Sequence, residues 1–229
     1  MAKRIVVAID GPAGAGKSTI ARRLAERLGF LYIDSGAMYR AVGLWALRAG
    51  VDLADAQRLS QLAAEAAITL EPEGSRVLLN GEDVTQAIRT PEVSQAASRV
   101  STIGGVRKAM VAGQRRMAEQ ASVVMEGRDI GSVVFPDAEI KIFLDADVSV
   151  RADRRLRESA EKGQSVDPDE MSRQIRQRDL RDRTRAEAPL VQAPDAVYVD
   201  STGLTIEQVE ETILRIIRER TSNGKGVAT

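Results

Sequence analysis

The chain has 229 residues, 43% of them hydrophobic, with 33 basic against 33 acidic side chains and neither cysteine nor histidine. This inventory excludes disulfides, cysteine or histidine zinc sites, thiolate nucleophiles and imidazole acid-base catalysis, and zero net charge disfavours extended nucleic-acid binding. The length suits one α/β domain with an insertion, no run approaches membrane-spanning length, and the short charged N-terminus does not read as a secretory signal, so a cytoplasmic protein is expected.

The first apolar run, Ile5-Val6-Val7-Ala8-Ile9, predicts a buried strand, and a helical pattern opens beyond it at Ser18. Between them lies a match to the phosphate-binding loop G-x-x-x-x-G-K-[ST] at Gly11, Gly16, Lys17 and Ser18. Gly14 and Gly16 allow backbone amides to turn toward an anion, and the helix N-terminus adds its positive dipole end. The expected nucleoside triphosphate contacts are Gly11, Pro12, Ala13, Gly14, Ala15, Gly16, Lys17, Ser18 and Thr19. Lys17 would reach the outer phosphates from a solvent-open cradle, and the Ser18 hydroxyl would ligate the accompanying Mg²⁺.

The helix from Ser18 to Leu28 ends at Gly29, and Phe30-Leu31-Tyr32-Ile33 reads as a second buried strand. Asp34-Ser35-Gly36 then starts a helix through Leu47, which predicts a parallel sheet with crossover helices. Ligands of such sheets sit at the carboxyl ends of the strands, so Asp34, Ser35 and Arg40 point toward the crevice of the phosphate loop. The structural alternative is a capped helix start with an exposed arginine. An Ala-rich helix over 54–66 precedes short strands at Ile68–Leu70, Arg76–Leu79 and Asp83–Val84, separated by Glu73-Gly74 and by the tight-hairpin signal Asn80-Gly81. Thr90-Pro91 caps a helix through Arg99, and an amphipathic stretch runs from Val106 to Gln120.

Ser122–Met125 predicts another buried strand, ending in Glu126-Gly127-Arg128-Asp129-Ile130-Gly131, where glycines would let backbone approach a ligand. Glu139–Leu144 is a fourth strand, stopped by Asp145. Ten arginines follow between 151 and 185, on two helices broken at Gly163 and Val166-Asp167-Pro168, a pattern that suggests a mobile flap. Arg178, Asp182 and Arg185 share one helix face, but a solvated helix laced by pairs such as Asp169 with Arg173 and Asp179 with Arg183 explains most of these arginines. Ala196–Val199 supplies a fifth strand, Thr205–Glu219 a closing helix, and 221–229 a tail expected to be disordered.

Taken together, the loop, Asp34-Ser35-Gly36-Ala37-Met38-Tyr39-Arg40, Gly127-Arg128-Asp129-Ile130-Gly131, Val133-Val134-Phe135-Pro136-Asp137 and the run Arg178 to Arg185 resemble the bacterial cytidylate kinases over nearly the whole chain. The resemblance implies a nucleoside monophosphate kinase fold of the P-loop type. It would have a five-stranded parallel sheet ringed by helices over 1–64, 102–150 and 187–220, a small antiparallel monophosphate-binding insertion over 65–101 and a helical lid over 151–186. It implies ATP-dependent phosphorylation of CMP and dCMP with Mg²⁺, by a monomer without nucleic-acid or membrane partners. By the same resemblance Ser35, Ser98, Arg107 and Asp129 surround the cytosine, Arg178 and Asp182 the ribose, and Arg40, Arg128 and Arg185 the phosphates. Lys17, Arg40, Arg128 and Arg185 would be the catalytic cations. One departure is Glu126, where the family more often has Asp, and a longer carboxylate would hold water differently around a metal. Other acceptors, such as UMP or a non-nucleotide alcohol, and a nucleotide-dependent switch are the alternatives. A guanine-reading Asn-Lys-x-Asp motif is absent.

Overall fold

The computed structural model describes residues 4–71, 76–161, 163 and 165–222. Five parallel strands form the main sheet: β1 (Val6–Asp10), β2 (Leu31–Asp34), β6 (Val123–Gly127), β7 (Ile140–Asp145) and β8 (Val197–Asp200), in the spatial order β2-β6-β1-β7-β8. A separate antiparallel sheet holds β3 (Ile68–Leu70), β4 (Val77–Leu79) and β5 (Glu82–Asp83). The helices are α1 (Lys17–Leu28), α2 (Ser35–Arg48), α3 (Ala56–Glu65), α4 (Pro91–Val100), α5 (Gly104–Met117), α6 (Val148–Glu161), α7 (Pro168–Thr184) and α8 (Ile206–Ser222).

The central strands are mostly apolar because both faces are covered, with Asp10, Glu126 and Asp145 at or near their carboxyl ends and Lys141 within β7. Val7 and Ile9 of β1 pack with Ile20 and Leu24 of α1 and with Ile213 and Ile217 of α8. Ala8 faces the opposite side, with Ile33, Met125 and Ile130. Because β1 is paired in parallel with β6 and β7, the loops leaving β1 and β6 emerge side by side, with Asp10 in register with Gly127. The phosphate loop and the Gly-Arg-Asp segment are therefore neighbours by strand register.

The sequence-read elements recur within one to three residues at most of their ends. At Asn80-Gly81 both residues take positive φ, 53° and 85°, joining β4 to β5 as a two-residue hairpin. The Glu73-Gly74 turn lies outside the described residues. α2 and α4 pack closely because Gly43 has no side chain, and a Cβ there would lie 3.0 Å from the Ala97 amide nitrogen. That approach brings Ser98 toward the mouth of the main sheet. Thr221 and Ser222, placed in a disordered tail by sequence, belong to α8, and the rest of that tail lies outside the described residues.

The α6–α7 hairpin also has more apolar support than its sequence suggests. Ala152, Met171 and Ile175 are buried against Val148, Leu156 and Val166 in a small core of their own. Two sequence-expected ion pairs are absent there. Arg173 bonds Glu170 instead of Asp169, at 2.7 Å; both lie about one turn away, and the longer glutamate side chain reaches the guanidinium at both Nε and NH2. Asp179 turns inward to Arg151, while Arg183 approaches Asp145 at 3.9 Å. None of the described helices is long and apolar enough to cross a membrane.

Candidate active site

The phosphate loop is a backbone construction. Gly11, Gly14 and Gly16 have φ of 150°, 79° and 91°, values that L side chains rarely adopt. A Cβ on Gly11 would overlap the Leu144 carbonyl oxygen of β7. Gly16 is the N-cap of α1, which has no side-chain cap and no acidic residue in its first turn. By contrast α2, α3, α4 and α7 are capped by Asp34, Asp55, Thr90 and Asp167. The first amides of α1 thus remain available to an anion.

Lys17 differs from its sequence reading as a solvent-open group. It is only 5% exposed, and its Nζ donates to the Pro12 carbonyl oxygen at 2.7 Å. Burial, with the Arg128 charge adding to it, lowers its pKa to about 7. Ser18 and Thr19 are exposed at the rim.

The loop opens onto a cleft of about 890 Å³, part of it solvent-open, in which seven basic side chains face four acidic ones. Ala13, Gly14, Lys17 and Ser18 line the side formed by the loop. Ser35, Arg40, Ser98, Arg107, Arg128, Asp129, Arg178, Asp182 and Arg185 line the rest, so every acceptor residue named from sequence enters one cavity. They come from α2, α4, α5, the turn after β6, and α7 with its C-terminal neighbour.

Asp34 both caps α2, accepting from the Ala37 amide at 2.9 Å, and bonds Arg40 at 2.7 Å. The structural alternative therefore holds in part, but Arg40 is half-buried in the cleft instead of exposed. Burial would raise the Asp34 pKa, yet Arg40 and the Ala37 amide outweigh it and leave the pKa lowered. Asp129 is held by Arg107, with Arg185 NH2 3.6 Å from its other oxygen. Arg128 Nε donates to Asp182 at 2.9 Å, and Asp182 lies 4.0 Å from Arg178 Nε. Burial, then the Arg128 charge, brings the Arg178 pKa down to about 10.

Ser98 Oγ, Arg178 Nε and Arg185 NH2 are buried with no hydrogen-bond partner. Buried donors left unpaired are costly, and three of them lining one cleft mark where a polar ligand belongs. Ser35 Oγ is not free, since it donates to the Glu126 carbonyl oxygen at 2.6 Å.

Sequence reasoning missed several participants. Asp10 accepts from the Ile130 and Gly131 amides at 2.7 Å each, fastening the segment after Asp129 to the end of β1. Burial raises its pKa to about 6. A carboxylate closing an otherwise apolar strand was the signal available. Tyr32, inside β2, donates its hydroxyl to Glu126 Oε1 at 2.6 Å. Burial, then the nearby Asp34 charge, raises the Glu126 pKa. Tyr39 and Arg155 also line the cleft.

Among the described residues, no group of three or more carboxylates could hold a metal unaided. The oxygen donors lining the cleft near the loop include the Ser18 hydroxyl, Glu126 and Asp34. A hard cation that arrives with phosphate oxygens suits such a set. A second pocket lies between α4 and the α6–α7 pair, sharing Ser98, Arg155 and Arg178 with the cleft and lined by Arg89, Arg99, Arg155, Arg178 and Arg181 against Glu158 and Glu170.

Comparison with known proteins agrees with this geometry. The family model described as cytidylate kinase matches residues 7–219. The chain belongs to the cytidylate kinase family. It is 61% identical to a cytidylate kinase of Solibacter usitatus over 225 residues, covering 97% of this chain and 96% of that protein. It is 56% identical to one of Pelotomaculum thermopropionicum over 211 residues, covering 91% and 93%. An uncharacterised protein from Eubacterium ventriosum shares the fold at 13% identity, with a TM-score of 0.54 over 93% of this chain and 98% of that one. This cytidylate kinase family member thus carries a P-loop nucleoside monophosphate kinase fold in which the Gly-rich loop and the arginine-lined cavity are continuous.

Proposed function

We propose that the protein transfers the terminal phosphoryl group of ATP to CMP and dCMP. The observation that carries this reading is the shared cavity: an uncapped amide cradle and a pocket with three buried donors that lack a hydrogen bond face each other across one space. Phosphoryl transfer needs the two anions aligned and their charge neutralised, and it needs no general base when the acceptor is already a phosphate oxyanion. The acceptor oxygen attacks the γ-phosphorus as the bond to the bridging oxygen of ADP breaks, and the products are the nucleoside diphosphate and ADP.

The loop amides and Lys17 bind the donor phosphates. Arg40, Arg128 and Arg185 approach from α2, the β6 turn and the end of α7, and they stabilise charge as it spreads over the moving group. Asp129 and Arg107 address the cytosine edge, Ser35 and Ser98 flank them, and Arg178 and Asp182 hold the ribose. Mg²⁺ would be held by Ser18 together with the donor phosphates, with Glu126 and Asp34 toward its water shell, and supplies charge neutralisation when bound. The insertion over 65–101 contributes Ser98, and residues 151–186 form a lid whose Arg178, Asp182 and Arg185 close on the acceptor and exclude water. The protein would act as a monomer on diffusible nucleotides in the cytoplasm.

ADP release measured with CMP, dCMP, UMP and AMP as acceptors tests the reading. Activity with CMP and dCMP should exceed that with UMP and AMP. Equal rates with all four, or hydrolysis of ATP without an acceptor, would refute it.

A further inference from the structure

Arg151 belongs to none of the motifs above, yet it is one of the largest fully buried side chains, at 2% exposure. A guanidinium taken out of water requires partners, and it finds them on three different segments. Nε donates to the Ala146 carbonyl beyond β7 at 2.8 Å, NH1 to the Ala13 carbonyl of the phosphate loop at 3.1 Å, and NH2 to Asp179 Oδ2 of α7 at 2.7 Å. The backbones touch as well. A Cβ on Gly14 would lie 3.0 Å from the Arg151 carbonyl oxygen and 3.1 Å from its Cβ.

The bond to Ala13 has a chemical consequence. No peptide bond of the described chain is cis, so the Gly14 N–H, which shares a peptide plane with the Ala13 carbonyl, points away from Arg151. Phosphate charge accepted by that N–H polarises the same peptide unit and strengthens the carbonyl as an acceptor for Arg151. On the far side, Asp179 Oδ1 is buried without a hydrogen-bond partner, so this carboxylate relies on the guanidinium at its other oxygen. Asp179 follows Arg178 directly in α7 and precedes Asp182 by less than a turn, and Asp182 in turn holds Arg128. The loop is therefore linked by hydrogen bonds through Arg151 to Asp179, and the α7 backbone carries Arg178 and Asp182 from there into the acceptor pocket.

We infer that Arg151 is a positioning residue that couples filling of the phosphate loop to reading of the acceptor, with Asp179 as its counterpart on α7. Phosphate in the loop tightens the Ala13–Arg151 bond, which fixes Asp179 and so the angle at which α7 presents Arg178 and Asp182. By thermodynamic reciprocity the acceptor favours the donor equally. The inference rests on the proposed assignment of ATP to the loop and CMP to the arginine-lined pocket. Arginine suits the role because its planar fork serves acceptors in three directions at once, which a lysine ammonium on the same stem does not.

Calorimetric titration of CMP with and without β,γ-methylene-ATP measures the coupling as a ratio of two affinities. In the wild-type protein the analogue should tighten CMP binding by about fivefold or more. Arg151→Met combined with Asp179→Leu removes both charges together and avoids a bare buried carboxylate, and there the ratio should fall toward one with the circular-dichroism spectrum preserved. Should that pair fail to fold, Asp179→Asn keeps the shape and weakens the bond, and an intermediate ratio is expected. CMP binding with the wild-type ratio in the variant that folds, or a ratio of one in the wild type, would overturn the inference alone. No CMP binding by the wild type would overturn the functional reading and the inference with it.

Discussion

The two halves of the cleft are built from different materials. The donor side is backbone: glycines with positive φ, uncapped amides and one buried lysine resting on a carbonyl of its own loop. The acceptor side is side chain: a serine from α4 and arginines and carboxylates from α2, α5, the β6 turn and α7, several of them paired as Arg40–Asp34, Arg107–Asp129 and Arg128–Asp182. A backbone cradle recognises any polyphosphate and tolerates little substitution. A side-chain lattice reads a particular base and sugar, and its members can be exchanged one at a time.

The largest expected effect tests the donor side. Lys17→Ala should lower turnover on the order of 10³-fold or more, because the cation acts on charge that develops in the transition state. Its melting curve should hold, since the group is buried at a cost and makes a single bond to Pro12. Near wild-type turnover in a folded variant would break the assignment of the loop.

On the acceptor side the corresponding change concerns selectivity. Cytosine presents an amino group where uracil presents a carbonyl oxygen, so a carboxylate reader favours CMP by about 2–4 kcal/mol, about 30- to 1,000-fold in kcat/KM. Asp129→Ala should narrow that preference. The hydrogen bond of Asp129 with Arg107 and its ion pair with Arg185 pose the alternative sharply, for a carboxylate that only braces arginines would cost both substrates alike. Kinetics with CMP and UMP on both proteins separate the two roles.

Asp10 joins the two halves and should give a smaller effect. Asp10→Asn sets an amide N–H against one of the two backbone donors, and the lost bond should raise the KM for CMP about 10-fold while leaving ATP binding nearly unchanged. An equal rise for both nucleotides would mean that Asp10 supports the whole site and not the acceptor segment.

The smallest effect is a proton. With a ligand-free pKa of about 7, below the ordinary lysine value, Lys17 is mostly neutral at pH 8, and triphosphate oxygens favour its charged form. ATP binding at pH 8 should take up most of one proton, and uptake should fade below pH 6 where Lys17 is already charged. Calorimetry in buffers of differing ionisation enthalpy reads this directly. Uptake that does not vary with pH would place the titrating group elsewhere.

How far each half could be read from sequence follows from the same contrast. The loop is contiguous and its glycines are required by conformation, so Gly11 to Thr19 announce themselves. Strand register then places the Gly-Arg-Asp turn beside them. Acceptor residues arrive from five segments; strand ends brought Ser35 and Arg40 to the crevice and helix spacing put Arg178, Asp182 and Arg185 on one face, but only resemblance assembled the whole set. The partners within the lattice were less legible still. Ten arginines between 151 and 185 offer too many pairings, and the inward face of α7 is chosen by packing against α6, which turns Asp179 toward Arg151 and away from Arg183. Tyr32 read as one more apolar strand residue, and its hydroxyl bond to Glu126 depends on a strand nearly a hundred positions away.

The pocket between α4 and the α6–α7 pair, which borders the cleft, bears on traffic. Arg89, Arg99, Arg155, Arg178 and Arg181 outnumber Glu158 and Glu170 around it, so anions approaching this side of the cleft meet a favourable potential. A nucleoside diphosphate carries more negative charge outward than the monophosphate carried inward, and it climbs a steeper slope to escape. Raising the ionic strength toward 0.15 M, where the screening length falls to about 8 Å, should therefore act in opposite directions on the two limiting rates. Capture of scarce CMP slows as salt rises, whereas departure of product at saturating CMP quickens.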